Sequence, residues 1–245
     1  MKHTGAHCCT GRVVTMSSVL WALLVTVLAA TNVKAELPAE SDDGWKLREE
    51  VGNIRVYTTD QDDSSFKAFK AVALLDTPIE NLMAVMVNPK SCIEWVLNCS
   101  ESYGFGKGNF NNRYAYSVND LPWPVTDRDY VLHIRTHGDK ASGEIVMNLD
   151  ATPNKRAEIP SRIRVNRSGT LYRFIPEGSK TRMIWVQHTD PNGALPGWLV
   201  NSLLVDIPVK SLQALEQVAA KEQYQGYELI YDTDGQLIDV RPSGN

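Results

Sequence analysis

Hydrophobic and polar residues alternate with a period close to two through the middle of the chain. Glycine- and proline-containing turns separate the alternating runs, for example at Gly138-Asp139 and Pro176–Gly178. This pattern predicts a meander of antiparallel β-strands. Two earlier runs, residues 46–60 and 66–76, are also predicted to be strands. The central runs are "NRYAYSV", "DYVLHIRTH", "GEIVMNLDA", "SRIRVNRSGTLYRFIPEG" and "TRMIWVQHTD".

Three segments have helical patterns instead. Residues 77–89 carry helix start and stop signals, and a short helix is predicted around Ser91–Val96. A long apolar stretch, Pro196–Gln223, predicts a C-terminal helix, and Pro208 inside it predicts a kink near Ile207. Strands, two helices, a meander and one long helix make an α+β order. The long helix then has to pack on one face of a curved sheet, where the two can enclose a cavity.

The two ends of the chain differ from this pattern. Lys2 and Arg12 precede the apolar run "VLWALLVTVLAA", and small residues lead to Ala35, which predicts that residues 1–35 are a secretory signal peptide. An uncleaved membrane anchor is the alternative. Residues 36–44 are read as a polar linker. Residues 224–245 form a C-terminal extension, in which the Asp234-Gly235 pair predicts a hairpin turn.

Charge and cysteine content narrow the possible partners. The whole chain has a net charge of −4, and removal of residues 1–35 leaves 22 Lys and Arg (25 minus Lys2, Arg12 and Lys34) against 29 Asp and Glu. This acidic balance argues against nucleic acid as a partner. Beyond residue 35 only Cys92 and Cys99 remain, and they can form a disulfide if the helix ends between them; two buried thiols are the alternative. The region offers too few ligands for a metal site.

The segment "DLPWPVTDRDYV" places an arginine at the start of a strand. Arg128, Tyr130, Leu132 and Ile134 share one face of this predicted strand, with Asp129 and His133 on the other. The first face is the more apolar, so Arg128 is predicted to face inward. A buried guanidinium then needs carbonyls, an acid, water or a ligand as its partner. Alternatively, the strand starts after Arg128 and the arginine lies at the rim.

Three segments in order resemble the START domain family, the steroidogenic-acute-regulatory-related lipid-transfer proteins. They are "CIEW", "PWPVTDRDYV" and "DPNGALPGWLVN". The resemblance covers about residues 45–221, within a predicted domain of residues 45–223, and implies a helix-grip fold, in which a curved antiparallel sheet wraps around a long C-terminal helix. The family's structural motif falls on Trp95, Trp123, Asp129, Pro196 and Asn201.

The resemblance also implies an internal hydrophobic tunnel that holds one lipid or sterol, with Arg128 meeting a polar headgroup or an internal acid. Glu94, Glu101 and Glu144 are the candidate acids. The C-terminal helix would be the lid. Strand periodicity adds Ile145, Leu149 and Met183 to the expected walls. The residues expected to bind the ligand are Arg128, Tyr130, Leu132, Ile134, Met147 and Trp185 from the sheet and Trp198, Leu199, Leu203 and Ile207 from the helix.

The function expected on this basis is non-catalytic carriage of a lipid through an aqueous compartment outside the cytoplasm. Such a carrier would be monomeric, need no cofactor and contact donor and acceptor membranes transiently. An enzyme of the polyketide cyclase type, using the same cavity, is the main alternative. The candidate acid–base groups are His133, His137 and His188, or Arg128 together with an inward carboxylate, and no hydrolase or phosphate-binding motif is present in the sequence. An interaction protein with a solid core is the third possibility.

Overall fold

The computed structural model describes residues 36–195 and 197–244. The predicted signal peptide, residues 1–35, and the predicted motif residue Pro196 lie outside the described residues. So do the side chains of Trp198 and Asn201. In the part of the chain that is described, no helix is long and apolar enough to cross a membrane.

A ten-stranded sheet forms most of the protein. Nine strands run in the order β1-β2-β3-β10-β9-β7-β6-β5-β4, and every pairing along this path is antiparallel. The short strand β8 pairs with the start of β6 in parallel. The strands are β1 Lys46–Val51, β2 Ile54–Gln61, β3 Ser64–Leu75, β4 Cys99–Phe105, β5 Asn112–Asn119, β6 Arg128–Gly138, β7 Ile145–Ala151, β8 Ile163–Arg164, β9 Arg167–Glu177 and β10 Lys180–Asp190.

Three α-helices pack against the inner face of the sheet. They are α1 Ile79–Val87, α2 Cys92–Trp95 and α3 Gly197–Ala219, and α3 contacts β2, β3 and both other helices. A curved antiparallel sheet around a long C-terminal helix is the fold class that the sequence predicts, and that prediction is confirmed.

The two halves of α3 have different surroundings. Leu212, Leu215 and Ala219 are fully buried in the solid core with side chains of α1, whereas Leu203 to Ile207 remain partly accessible. Pro208 lies where the change occurs, and the helix continues through it. Because proline has no backbone N–H, the helical bond to the carbonyl of Leu204 is missing at this point.

The outer face of the sheet is also covered near the start of β6. Residues 152–165 fold over this face, and a second small core forms there. Asp129 and Val131, which the alternation places on the outer face, are therefore fully buried instead of solvated. The residues of this second core are Tyr116, Val118 and Val131, with Tyr103, Phe105 and Ile159 packed against them.

Cys92 and Cys99 form a disulfide, with their Cα atoms 6.0 Å apart. The bond is possible because α2 ends at Trp95 and the chain turns, with Asn98 in a left-handed conformation, before β4 begins. It closes the loop that joins α2 to the sheet.

Both flanking segments pack on the domain, with which they form one compact unit. In the polar segment 36–44, Glu40 pairs with Arg173 on the outer face of β9. Residues beyond α3 form a hairpin, β11 Tyr227–Tyr231 with β12 Leu237–Pro242. This hairpin contacts α1 and buries Leu237 and Val240 in the main core.

Candidate functional site

An internal cavity of about 220 Å³ lies between the sheet, α2 and the first half of α3. Strands β5, β6, β7, β9 and β10 supply alternate side chains to its wall, as the period of two requires. Six residues that the sequence places on the sheet side of the site line it: Arg128, Tyr130, Leu132, Ile134, Met147 and Trp185.

The helix residues of the predicted site divide into three groups. Leu203 and Ile207 line the cavity, together with Val200 and Leu204, which lie on the same helical face. Leu199, predicted to line it, is instead 5% exposed and packed against protein at the first turn of α3. The position of the Trp198 side chain lies outside what the structure describes.

The sheet side of the prediction needs one further correction. Ile145 and Met183, predicted as cavity walls, are fully buried in the solid core, whereas Leu149 does border the cavity. All three side chains face inward, so their position along the strand decides which of them borders the cavity. Beyond the end of the cavity, the second half of α3 fills the space against the sheet.

One end of the cavity is polar. Cross-strand pairs place Asn119 beside Arg128, Ser117 beside Tyr130, Ser168 beside Thr189 and Thr170 beside Gln187. All eight side chains line the cavity. Sequence reasoning found only the two on β6. The signal it missed is the run of small polar residues at inward positions of the "NRSGTLYRF" and "TRMIWVQHTD" strands.

The other end is apolar and rich in aromatic side chains. Trp95 from α2 makes edge-to-face contacts with Tyr172 and Trp185, at ring-centre distances of 6.1 and 5.9 Å. Met147 and Leu149 continue this wall. The hydrocarbon part of an amphiphilic ligand fits against this end, and its polar group fits at the other end. Ligand sites commonly combine mostly apolar walls with a few polar groups that fix orientation.

Arg128 is the first residue of β6 and only 2% exposed, so it faces inward rather than lying at a solvated rim. Its Nε donates to the carbonyl of Pro191 at 3.2 Å and its Nη2 to that of Asn192 at 2.9 Å, while Nη1 donates to the carbonyl of Thr126. These three bonds leave two of its five N–H groups for another partner. Burial lowers the pKa of Arg128 below the usual arginine value, and nearby Tyr130 and Asp127 act against that shift.

None of the candidate acids pairs with Arg128. Glu94 bonds to Lys221 and Tyr224, and Glu101 pairs with Arg162. Glu144 precedes β7 beside the far end of β6. Within the described residues, the hydrogen-bond partners of Arg128 are backbone carbonyls and not the carboxylate that the sequence offered as a candidate partner.

Arg128 also holds the loop before the lid helix. Asn192 has a positive φ of 52°, and its carbonyl accepts from Arg128 while its side-chain amide donates to the carbonyl of Arg164 at 2.8 Å. The loop from β10 to α3 is thereby attached to two strands at once.

The neighbouring Asp129 forms a buried ion pair on the outer face. Arg164 donates to both of its carboxylate oxygens at 2.9 Å, and the two side chains are 2% and 1% exposed. The hydroxyl of Tyr116 donates to Asp129 at 2.9 Å and accepts from Arg162 at 2.8 Å. Adjacent residues of β6 therefore serve two purposes, with Arg128 in the cavity and Asp129 fixing residues 152–165 to the sheet.

The acid–base groups of the cavity are few. Desolvation raises the pKa of Tyr130 to about 12, so its hydroxyl stays protonated at neutral pH and can donate to a ligand. His133 stacks on Tyr114 on the outer face, and His188 is buried on the outer side of β10. Among the described side chains that line the cavity there is no carboxylate and no imidazole.

The last predicted motif residue, Trp123, is 92% exposed in the loop between β5 and β6. The same loop supplies Leu121 to the cavity wall and the Thr126 carbonyl to Arg128. Among the large hydrophobic side chains of the described residues, Trp123 is the most exposed.

Comparison with known proteins gives consistent matches. The START domain family model matches residues 26–220. An uncharacterized protein of Pseudomonas aeruginosa is 32% identical over 200 residues, covering 81% of this chain and 98% of that protein. The phosphatidylcholine transfer protein of Bos taurus is 24% identical, covering 67% of this chain and 78% of that protein. The crystal structure of a STAR-related lipid transfer protein from Xanthomonas axonopodis superposes with a TM-score of 0.67 at 24% identity, covering 73% of this chain and all of that one.

Proposed function

This chain belongs to the START domain family, and from that premise we propose that it binds one lipid or sterol in the cavity and carries it, without covalent chemistry, through an aqueous compartment. The observation that carries the proposal is a cavity with a buried guanidinium at a polar end and aromatic and aliphatic side chains at the other. The absence of carboxylate and imidazole groups among its described lining side chains favours a carrier over a cyclase.

The energetics suit an amphiphile. Each methylene moved from water to the apolar end contributes about 0.8 kcal/mol. The Tyr130 hydroxyl and the two N–H groups of Arg128 that do not bond to backbone carbonyls can donate to a headgroup oxygen. The side chains of Thr170 and Gln187 add polar contacts. The headgroup is therefore assigned to the Arg128 end and the chain or ring system to the end near Trp95.

A full-length lipid needs more room than the cavity has in this state. Small-molecule pockets span about 300–1,000 Å³, against about 220 Å³ here. The second half of α3 is anchored, since Ser211 accepts from the backbone N–H of Leu97 at 2.9 Å and Lys221, just beyond the helix, pairs with Glu94. We therefore assign the opening movement to the first half of α3 and its preceding loop, with Pro208 as the hinge.

Filling the cavity is expected to abolish lipid uptake. Leu132→Trp adds bulk to the middle of the wall, so native mass spectrometry after incubation with a total lipid extract should show at least a tenfold drop in the lipid-bound fraction. Leu171→Trp, on the outer face of β9 in the same sheet, is the matched control and should keep wild-type occupancy. A wild-type protein that takes up no lipid, or a Leu132→Trp variant that loads normally, contradicts the proposal.

The proposed compartment lies outside the cytoplasm, in the periplasm or beyond the cell. The basis is the signal-like pattern of residues 1–35. Amino-terminal sequencing of the protein purified from its native cells should begin at or near Glu36; a protein that retains residues 1–35 would contradict cleavage there.

We further propose that Trp123 touches donor and acceptor membranes, because tryptophan favours the lipid–water interface. Trp123→Ser should slow lipid transfer between vesicles several-fold and leave equilibrium lipid affinity unchanged, since the indole is not part of the cavity wall. Leu47→Ser, which removes another exposed apolar side chain on the edge strand β1, is the control. Equal transfer rates for wild type and Trp123→Ser would exclude this role.

A further inference from the structure

A second cavity, of about 250 Å³, adjoins the first. It lies between the end of α1 and the turn that joins β4 to β5. Met86, Ala115 and Ile134 border both cavities, so they form the partition between them. The remaining wall consists of Val87, Gly104, Phe105, Gly106, Gly108, Asn109, Arg113 and Tyr114, with Pro89 shared with the first cavity.

Arg113 is the one charged side chain among the described residues of this wall. It lies two residues before Ala115 on β5 and so points to the inner side of the sheet. Its Nη1 donates to the carbonyl of Phe110 and, at 3.0 Å, to Oγ1 of Thr136. Its Nη2 is buried and has no hydrogen-bond partner among the described residues.

No described carboxylate forms an ion pair with Arg113. Its guanidinium carbon lies 5.9 Å from the centre of the Phe110 ring. Desolvation lowers the pKa of Arg113 to about 10, and no acid offsets it, so the group remains a cation at neutral pH. The buried Arg164, by contrast, is neutralised by Asp129.

Arg113 is also distinct from the headgroup end of the first cavity. Arg128 pairs with Asn119, which lies six residues further along β5 from Arg113. Six residues of strand span about 20 Å. The two guanidinium groups therefore come from opposite ends of the same strand pair.

An uncompensated cation with an unused donor in a cavity is a site for an anion, because burying an unpaired charge and an unpaired N–H is costly. We propose that this second cavity binds an oxyanion, a carboxylate or phosphate group, through the guanidinium group of Arg113. The proposal does not depend on lipid carriage, since the two cavities are separated by a partition.

The turn Gly104–Gly108 borders this cavity. A side chain built at Gly106, which has a φ of +72°, would meet no atom within 4 Å, so open space lies beside the turn. Ala115 and Ile134 in the partition are both buried. These features favour a small free anion arriving from solvent over an acidic group reaching across from a bound lipid.

Calorimetric titration with inorganic phosphate, at constant ionic strength set by chloride, tests the site. Wild type should bind one phosphate, Arg113→Met should bind at least tenfold more weakly, and Arg113→Lys, which keeps the charge but not the planar fork, should fall between them. Arg55→Met removes an exposed arginine that pairs with Glu50 and should bind like wild type. Phosphate should also raise the melting temperature of wild type more than chloride does, which needs no variant to fold.

A second experiment distinguishes a free anion from solvent from an acidic group on a bound amphiphile. Hexadecanedioate is compared with palmitate on wild type and on Arg113→Met. If phosphate does not bind but the diacid gains affinity over palmitate only when Arg113 is present, the oxyanion is the distal acid of a bound amphiphile. If neither phosphate nor the diacid shows any dependence on Arg113, the proposed site does not exist, whatever the lipid-uptake experiments give.

Discussion

Replacing Asp129 with alanine is expected to lower the free energy of unfolding by about 3–5 kcal/mol. The carboxylate accepts two bonds from Arg164 and one from Tyr116, and its removal leaves a guanidinium that is 2% exposed without a counterion. Urea denaturation monitored by tryptophan fluorescence measures the change. A loss below about 1 kcal/mol would mean that solvent reaches Arg164 in the folded protein.

Two variants sharpen this result. Glu50→Ala removes a carboxylate from an exposed pair with Arg55 and should cost less than about 0.5 kcal/mol. The double variant Asp129→Leu, Arg164→Met should recover only part of the loss. Arg164 also donates to the carbonyls of Pro153, Arg156 and Ala157, and these acceptors stay unpaired in the double variant.

Replacing Arg128 with methionine is expected to reduce lipid affinity about a hundredfold. The variant keeps the aliphatic stem but removes the donor group for a headgroup. It also leaves the carbonyls of Thr126, Pro191 and Asn192 unpaired, at about 1–3 kcal/mol for each acceptor left buried. A hundredfold change corresponds to about 2.7 kcal/mol. Displacement of a fluorescent lipid measures it.

Arg128→Lys separates charge from geometry in the same assay. Lysine keeps a positive charge in the cavity, but it lacks the planar guanidinium group that donates to three carbonyls at once. We therefore expect an intermediate loss of lipid affinity, of about tenfold. Hydrogen exchange of the amides of residues 192–195 should accelerate in both variants. An Arg128→Met protein that binds lipid within twofold of wild type would show that the guanidinium serves the loop alone.

Local patterns were sufficient for much of this fold. Alternation along β6 correctly places Arg128 with Tyr130 and Leu132 on the inner face, because that relation depends only on strand geometry. The helix-end signals likewise place α1 and α3 within a few residues of their observed bounds.

The same alternation could not show that Asp129 is buried. Its burial depends on residues 152–165, which fold back over the outer face from more than twenty positions along the chain. A partner such as Arg164 is set by that tertiary contact, and nothing in its own two-residue strand β8, Ile163–Arg164, specifies the pairing with Asp129.

Local patterns also could not predict which inward-facing strand residues border the cavity and which are buried in the core. Leu149 borders the cavity and Met183 fills the core, although both are inward strand residues. The difference comes from where α3 packs tightly and where it does not. Likewise, the polar end of the cavity exists because the register between β9 and β10 aligns Thr170 with Gln187, a non-local pairing that neither strand specifies alone.

The division of α3 at Pro208 has a consequence for how the protein can diversify. Leu212 and Leu215 are fully buried in the core, while Leu203 and Ile207 are partly accessible and border the cavity. Substitutions at the second pair change the shape offered to a guest molecule at little cost in folding. In one helix, the residues that determine folding stability are thus separate from those that border the cavity, so the shape of the cavity can change through a few substitutions in the first half of α3.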